Sequence, residues 1–112
     1  MAKPTPPTLT TWFGDAERSF ALTPILIEEL ERKTGAGIGA VAKRLFAGQF
    51  SHRDMLETIR LALIGGGEKP QVAASLTEVY AANRPINEAL PLSISIMETL
   101  FLGKAADEKV QE

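Results

Sequence analysis

Cysteine is absent from this 112-residue chain, and histidine, tryptophan and tyrosine occur once each. Without thiols there is neither a disulfide framework nor a thiolate metal site, which fits a reducing compartment. Charge of one sign is also lacking: 12 Lys and Arg stand against 14 Asp and Glu, a net charge of −2. No basic run interleaved with aromatics appears, so the electrostatic footprint of a nucleic-acid binder is missing. No apolar run approaches the ~20 residues that a membrane span needs, and the N-terminal MAKPTPP has no apolar core of a secretory signal. The expectation is a soluble protein of the cytoplasm that engages neither nucleic acid nor membrane. Its length suits one domain with a modest core.

What is present concentrates between Leu22 and Gly67, which spells three short helices with their start and stop signals. Thr23 can cap the first, with Pro24 at the first helical position, where its missing donor costs nothing. Leu26, Ile27 and Leu30 form its apolar stripe, Glu28, Glu29 and Glu31 its solvated face, and Gly35 its left-handed end. Gly35, Gly37 and Gly39 then make a joint. Nucleotide fingerprints need a strand before such glycines, and here a helix precedes them, so a helix-turn-helix joint is the reading. Ile38, Val41, Ala42, Leu45 and Phe46 recur at the spacing of a half-buried second helix, with Lys43 and Arg44 on the wet side. After Gly48, Ser51 and Asp54 have the spacing of a capping box, and Phe50 can staple onto Met55. Leu56, Ile59, Ala62 and Leu63 continue the buried face of the third helix, and Gly65, Gly66 and Gly67 should stop it.

Before this stretch, residues 1–7 read as a disordered, proline-rich leader, and Thr8 to Leu22 as a hairpin turning at Gly14 and Asp15. Leu9, Thr11 and Phe13 share one face, with Phe20 and Leu22 opposite them. Trp12 points the other way, either as a rim aromatic or as an exposed anchor for another protein. Beyond the triple glycine, Pro70 opens a fourth helix with Val72, Leu76, Val79 and Tyr80 in register, ending before Pro85. Pro85 then begins a last helical segment, running to Gly103, in which Pro91 predicts a kink or a restart. Leu92, Ile96 and Leu100 stripe this segment, and Ile94, Met97, Phe101 and Leu102 broaden it beyond what a surface helix needs. Residues 104–112 read as a charged, disordered tail. The fold class is therefore mainly α: a single domain over 8–103, with an N-terminal β-hairpin followed by a bundle of four to five short helices.

Chemistry has few carriers. His52 lies beside Ser51 and Asp54, but three residues serving one helix cap cannot converge on a substrate from different sides, so no triad is read there. Glu28, Glu29 and Glu31 have no histidine or second acidic cluster at ligand spacing. We therefore expect no enzyme, no metal and no cofactor. The candidate functional residues bind a partner instead: Trp12, and Leu92, Ile96, Leu100 and Phe101 of the last helix, whose surplus apolar surface calls for a cover such as a client protein or a second copy of the chain.

The order of these elements resembles a known family. The strand pair ending in FALT, the segment LTPILIEELERKTGAGIGAVAKRL, the capped FAGQFSHRDMLETIRLALIGGG and the closing apolar helix are similar to the tail assembly chaperone-like proteins of gene transfer agents and tailed phages, a group also labelled as tail tube components. The resemblance runs from about Phe13 to Gly103. It implies a helper in tail morphogenesis that binds the tape measure or the major tail protein in the bacterial cytoplasm. A structural tail or connector part carried in the particle, and a small helical adaptor domain, are the alternative readings. No binding positions are carried over from the family.

Overall fold

The computed structural model describes residues 5–104. The first four residues of the expected leader and the last eight of the expected tail lie outside the described residues. Two antiparallel strands, β1 (Thr8–Phe13) and β2 (Ala16–Ala21), pair with Leu9 opposite Phe20 and Phe13 opposite Ala16. Gly14 at φ 71° and Asp15 at negative φ close the hairpin, the pattern of a two-residue turn whose first position requires glycine. Alternation then sends Leu9, Phe13 and Phe20 into the core and Trp12 out of it.

Helix α1 (Pro24–Thr34) starts as its residues dictate: Thr23 Oγ1 accepts from the Leu26 N–H at 3.3 Å, and Gly35 ends the helix at φ 74°. Helix α2 (Ile38–Ala47) has Gly37 at its cap position and so no side chain of its own there. Glu31 supplies the acceptor, taking the Ile38 N–H at 2.8 Å; this carboxylate, expected to be merely solvated, ties two helices together. In α3 (His52–Gly65) the capping box is complete, with the Asp54 N–H donating to Ser51 Oγ and the Ser51 N–H to Asp54 Oδ2, both at 2.9 Å. Helix α4 (Pro70–Thr77) runs directly into a π-helical turn, Glu78–Ala82, where the Asn83 N–H reaches back five residues to the Glu78 carbonyl at 3.2 Å. Helix α5 (Ile86–Leu102) crosses the molecule and packs on α2, α3, both strands and the π turn.

Five local expectations are corrected. The glycines after Ile64 do not all stop α3: Gly65 is its last residue, and a Cβ there would lie 1.8 Å from the Ala21 carbonyl oxygen. A Cβ on Gly66 would lie 1.9 Å from that of Ser19, so these two glycines are needed for close approach to β2 rather than for termination. Phe46 is half exposed, because α2 turns Val41, Ala42 and Leu45 into the core and position 46 lies off the centre of that stripe. Arg44 does not face water alone: it forks onto the buried Asp54 carboxylate at 2.6 and 2.8 Å, joining α2 to the start of α3. In α4 the buried side is Ala73 and Thr77, continued by Ala81, while Val72 and Val79 face out. Small side chains let this helix lie close against α3, and that outweighs the larger apolar area of the valines. Pro91 interrupts nothing: α5 is one element from Ile86 to Leu102, with the proline on its exposed side and no restart.

Candidate partner-binding surface

The hairpin and the π turn build the most distinctive surface feature together. Phe13 meets Phe20 edge to face at 5.8 Å and Tyr80 at 5.9 Å, so the aromatic face of β1 is anchored to the turn after α4. The extra residue in the π turn advances the chain by one position relative to an α-helix, and Tyr80 sits in it. Gly14 makes room for the ring: a Cβ at that position would lie 2.4 Å from Tyr80 Cδ2. Trp12, on the opposite face of β1, keeps 68% of its surface exposed and donates its indole N–H to the Gly14 carbonyl at 2.9 Å. That bond holds the ring at the hairpin tip while leaving its faces free.

Between these elements lies a groove of about 300 Å³ lined by Trp12, Phe13, Gly14, Tyr80, Arg84, Glu88 and Leu92. Its charged wall is the Arg84 and Glu88 pair, one turn apart on the approach to and first turn of α5, with Arg84 Nε 2.9 Å from Glu88 Oε1. Both side chains are about half exposed, so the pair adds little stability and is available to a ligand's polar groups.

The structure thus brings Trp12 and Leu92 to one groove. Leu100 lines a second, apolar groove of about 430 Å³ with Thr5, Pro6, Pro7, Leu22, Pro24 and Ile27. Phe101 is 52% exposed at the end of α5, with Leu102 beside it at 62%. Ile96 is a correction: at 3% exposure it belongs to the core, as does Met97 at 0%. The apolar breadth of α5 is largely absorbed inside the molecule because the helix is contacted from several sides, so the exposed surplus shrinks to Ile86 at its start and to Phe101 and Leu102 in its final turn. Tyr80, Arg84 and Glu88 were missed by sequence reasoning. The spacing of Arg84 and Glu88 is a detectable ion-pair signal, but no sequence rule announces the π turn that places Tyr80.

Around Asp54 the electrostatics serve the fold. Burial pushes its carboxyl pKa up, but the Arg44 guanidinium and the Ser51 backbone and hydroxyl bonds outweigh burial and hold it below the ordinary value. Ser51 and Asp54 therefore spend their hydrogen-bonding capacity on the cap and the ion pair. His52, exposed beside them, lines an open groove of mixed polarity with Lys33, Arg53, Leu56, Glu57, Arg60 and Ala74, where Arg60 and Glu57 already pair at 2.6 Å. Among the described residues no helix is long and apolar enough to cross a membrane.

Comparison with known proteins gives the family. No curated protein and no solved structure matches the chain. Residues 7–103 match the family model described as phage tail tube protein, GTA-gp10. That span takes in every strand and helix described above, and the protein belongs to this family of phage and gene transfer agent tail proteins.

Proposed function

We propose that this protein is a tail assembly chaperone that holds a tail protein, the tape measure or the major tail protein, during tail morphogenesis in the cytoplasm of the producing cell. The observation that carries the reading is the pairing of an exposed, tip-anchored Trp12 with the groove walled by Tyr80 and Leu92. A large aromatic next to a partly apolar groove with a charged rim is the composition of a protein-binding hot spot. The contact needs no chemistry, and we infer that the protein catalyses none. Phe101 and Leu102 extend the apolar surface at the end of α5.

The test is co-purification of the full chain with candidate tape measure and major tail proteins of the same phage or gene transfer agent. Trp12→Ala and Phe101→Glu should weaken capture while far-UV circular dichroism stays unchanged, because both side chains are more than half exposed. Ile96→Glu should lose helical signal, since it places a carboxylate in the core. Capture that survives both surface variants would refute this surface as the client site. A second reading, a structural component retained in the tail, is favoured by the tail tube description of the family. Presence of the protein in purified mature particles at a fixed copy number would select it over the chaperone.

A further inference from the structure

The hairpin has one covered edge and one open edge. A two-residue turn makes Phe13 and Ala16 a hydrogen-bonded pair, and bonding alternates from there, so the backbones of Leu9 and Phe20 also exchange bonds while those of Thr10 and Ser19 do not, their side-chain hydroxyls meeting instead at 3.2 Å. The backbone groups of Ser19 and Ala21 must then face away from β1. The glycine geometry agrees, since the carbonyl oxygens of those two residues abut Gly66 and Gly65 of α3. By the same alternation Thr8, Thr10 and Trp12 of β1 aim their N–H and C=O groups outward, and among the described residues these groups make no backbone hydrogen bond to another element.

We propose that this edge pairs with β1 of a second copy of the chain, antiparallel across a two-fold axis at Thr10, to give a continuous four-stranded sheet. Edge strands that stay alone are usually protected by charge, a bulge or an internal proline. The strand TLTTWF has none of these, and two copies of it carry no like charges to oppose each other. The register is set by the strand's own ends. Centred on Thr10, Thr10 faces Thr10, and Thr8 faces Trp12 in both directions, each pair exchanging its N–H and C=O bonds. A shift one way places Pro6, which has no N–H, opposite a donor site. A shift the other way places Gly14, at φ 71°, within the ladder. The chosen register also lays an aromatic side chain opposite a β-branched one, a favourable cross-strand pair. The Trp12 indole keeps its bond to Gly14, because pairing uses only the Trp12 backbone.

This inference does not rest on the chaperone reading, and its test uses the full chain alone. Sedimentation equilibrium across a concentration series should show a dimer. Thr10→Glu and Thr10→Lys, which place like charges face to face on the axis, should each raise the dissociation constant about tenfold or more, and an equimolar mixture of the two should restore dimerisation. Because the chain has no cysteine, Thr10→Cys can form only a disulfide between identical positions. Under mild oxidation it should cross-link much faster than Glu17→Cys, a control on the same outer face but on β2. Circular dichroism confirms that the variants are folded, and the near-isosteric cysteine variant decides the matter if a charged one is not. A protein that is monomeric at every concentration, a dimer indifferent to charge at position 10, or equal cross-linking at 10 and 17 would each overturn the proposal.

Discussion

Gly65→Ala should be among the most damaging single-methyl changes available in this protein, although its position inside a helix would ordinarily make it beneficial. Replacing an open helical glycine by alanine stabilises by about 0.5–1 kcal/mol through backbone entropy and helix propensity. At Gly65 the added Cβ falls 1.8 Å from the Ala21 carbonyl oxygen and 2.8 Å from its carbonyl carbon, whereas ordinary contact begins near 3.4 Å. The obstacle is backbone, so no rotamer can relieve it. Either α3 or β2 must retreat by roughly 1.5 Å, a displacement that forfeits much of the dispersion energy of the contacts it opens. The residues that lose contact are Phe20, Ala21 and Leu22, all buried to within 3%. Overpacking of this kind costs about 3 kcal/mol, a large share of the ~5–15 kcal/mol that a domain possesses.

The internal control is Gly39→Ala, in α2, where a Cβ meets nothing within 4 Å. That variant should be stabilised by about 0.5 kcal/mol. Urea titrations followed by far-UV circular dichroism measure both. The single tryptophan, 68% exposed in the native state, is a poor reporter of the core. With a denaturant slope of about 1.5 kcal/mol/M, the midpoint for Gly65→Ala should drop by about 2 M. A Gly65→Ala midpoint within experimental error of the parent, or a Gly39→Ala variant equally impaired, would refute the argument that close approach to β2 demands glycine at 65.

Two further expectations concern the start of α3. Ser51→Ala should cost about 1 kcal/mol, and His52→Ala less than about 0.5, because the hydroxyl accepts the Asp54 N–H whereas His52 is exposed; equal losses in parallel denaturations would contradict the cap assignment. Asp54, whose folded pKa is depressed, contributes stability that is present above the unfolded value near ~4 and lost as pH falls through the folded one. Arg44→Ala leaves burial less opposed, so acid unfolding of that variant should begin at higher pH than in the parent; superimposable acid titrations would show that Arg44 does not set the Asp54 pKa.

The helix caps were legible from sequence because each is a local event. Thr23 with Pro24, Ser51 with Asp54, and Gly35 all act within one turn of chain, and all appear in the structure at the residues expected. The hairpin and its facing were legible for the same reason, since alternation and a two-residue turn leave one arrangement for Leu9, Phe13 and Phe20. What failed were inferences that ranked side chains by apolarity without knowing how near the neighbours come. Val72 and Val79 outrank Ala73 and Ala81 on any hydropathy scale, yet the alanines are inside. Ile96 was assigned to the surface because one stripe seemed enough for α5, an assumption that holds only for a helix with a single neighbour. Arg44 and Glu31 found partners ten and seven residues away, separations at which sequence spacing says nothing about contact.

The groove at the hairpin tip illustrates why a site can be harder to read than the fold that carries it. Its geometry depends on a chain of steric conditions, none sufficient alone. Gly14 must be glycine twice over, once for its positive φ and once because Tyr80 occupies the place of a Cβ. Tyr80 is there because the π turn inserts a residue between α4 and Asn83, and the same turn presents Ala81 to the core. The hairpin is held in register with that turn by Phe13 against Tyr80 on one side and by Gly65 and Gly66 against β2 on the other. A shift of the hairpin would therefore move Trp12 relative to Leu92 even though neither residue had changed. The placement of the candidate surface is a property of hairpin docking, which is why glycines remote from any partner should influence binding as well as stability.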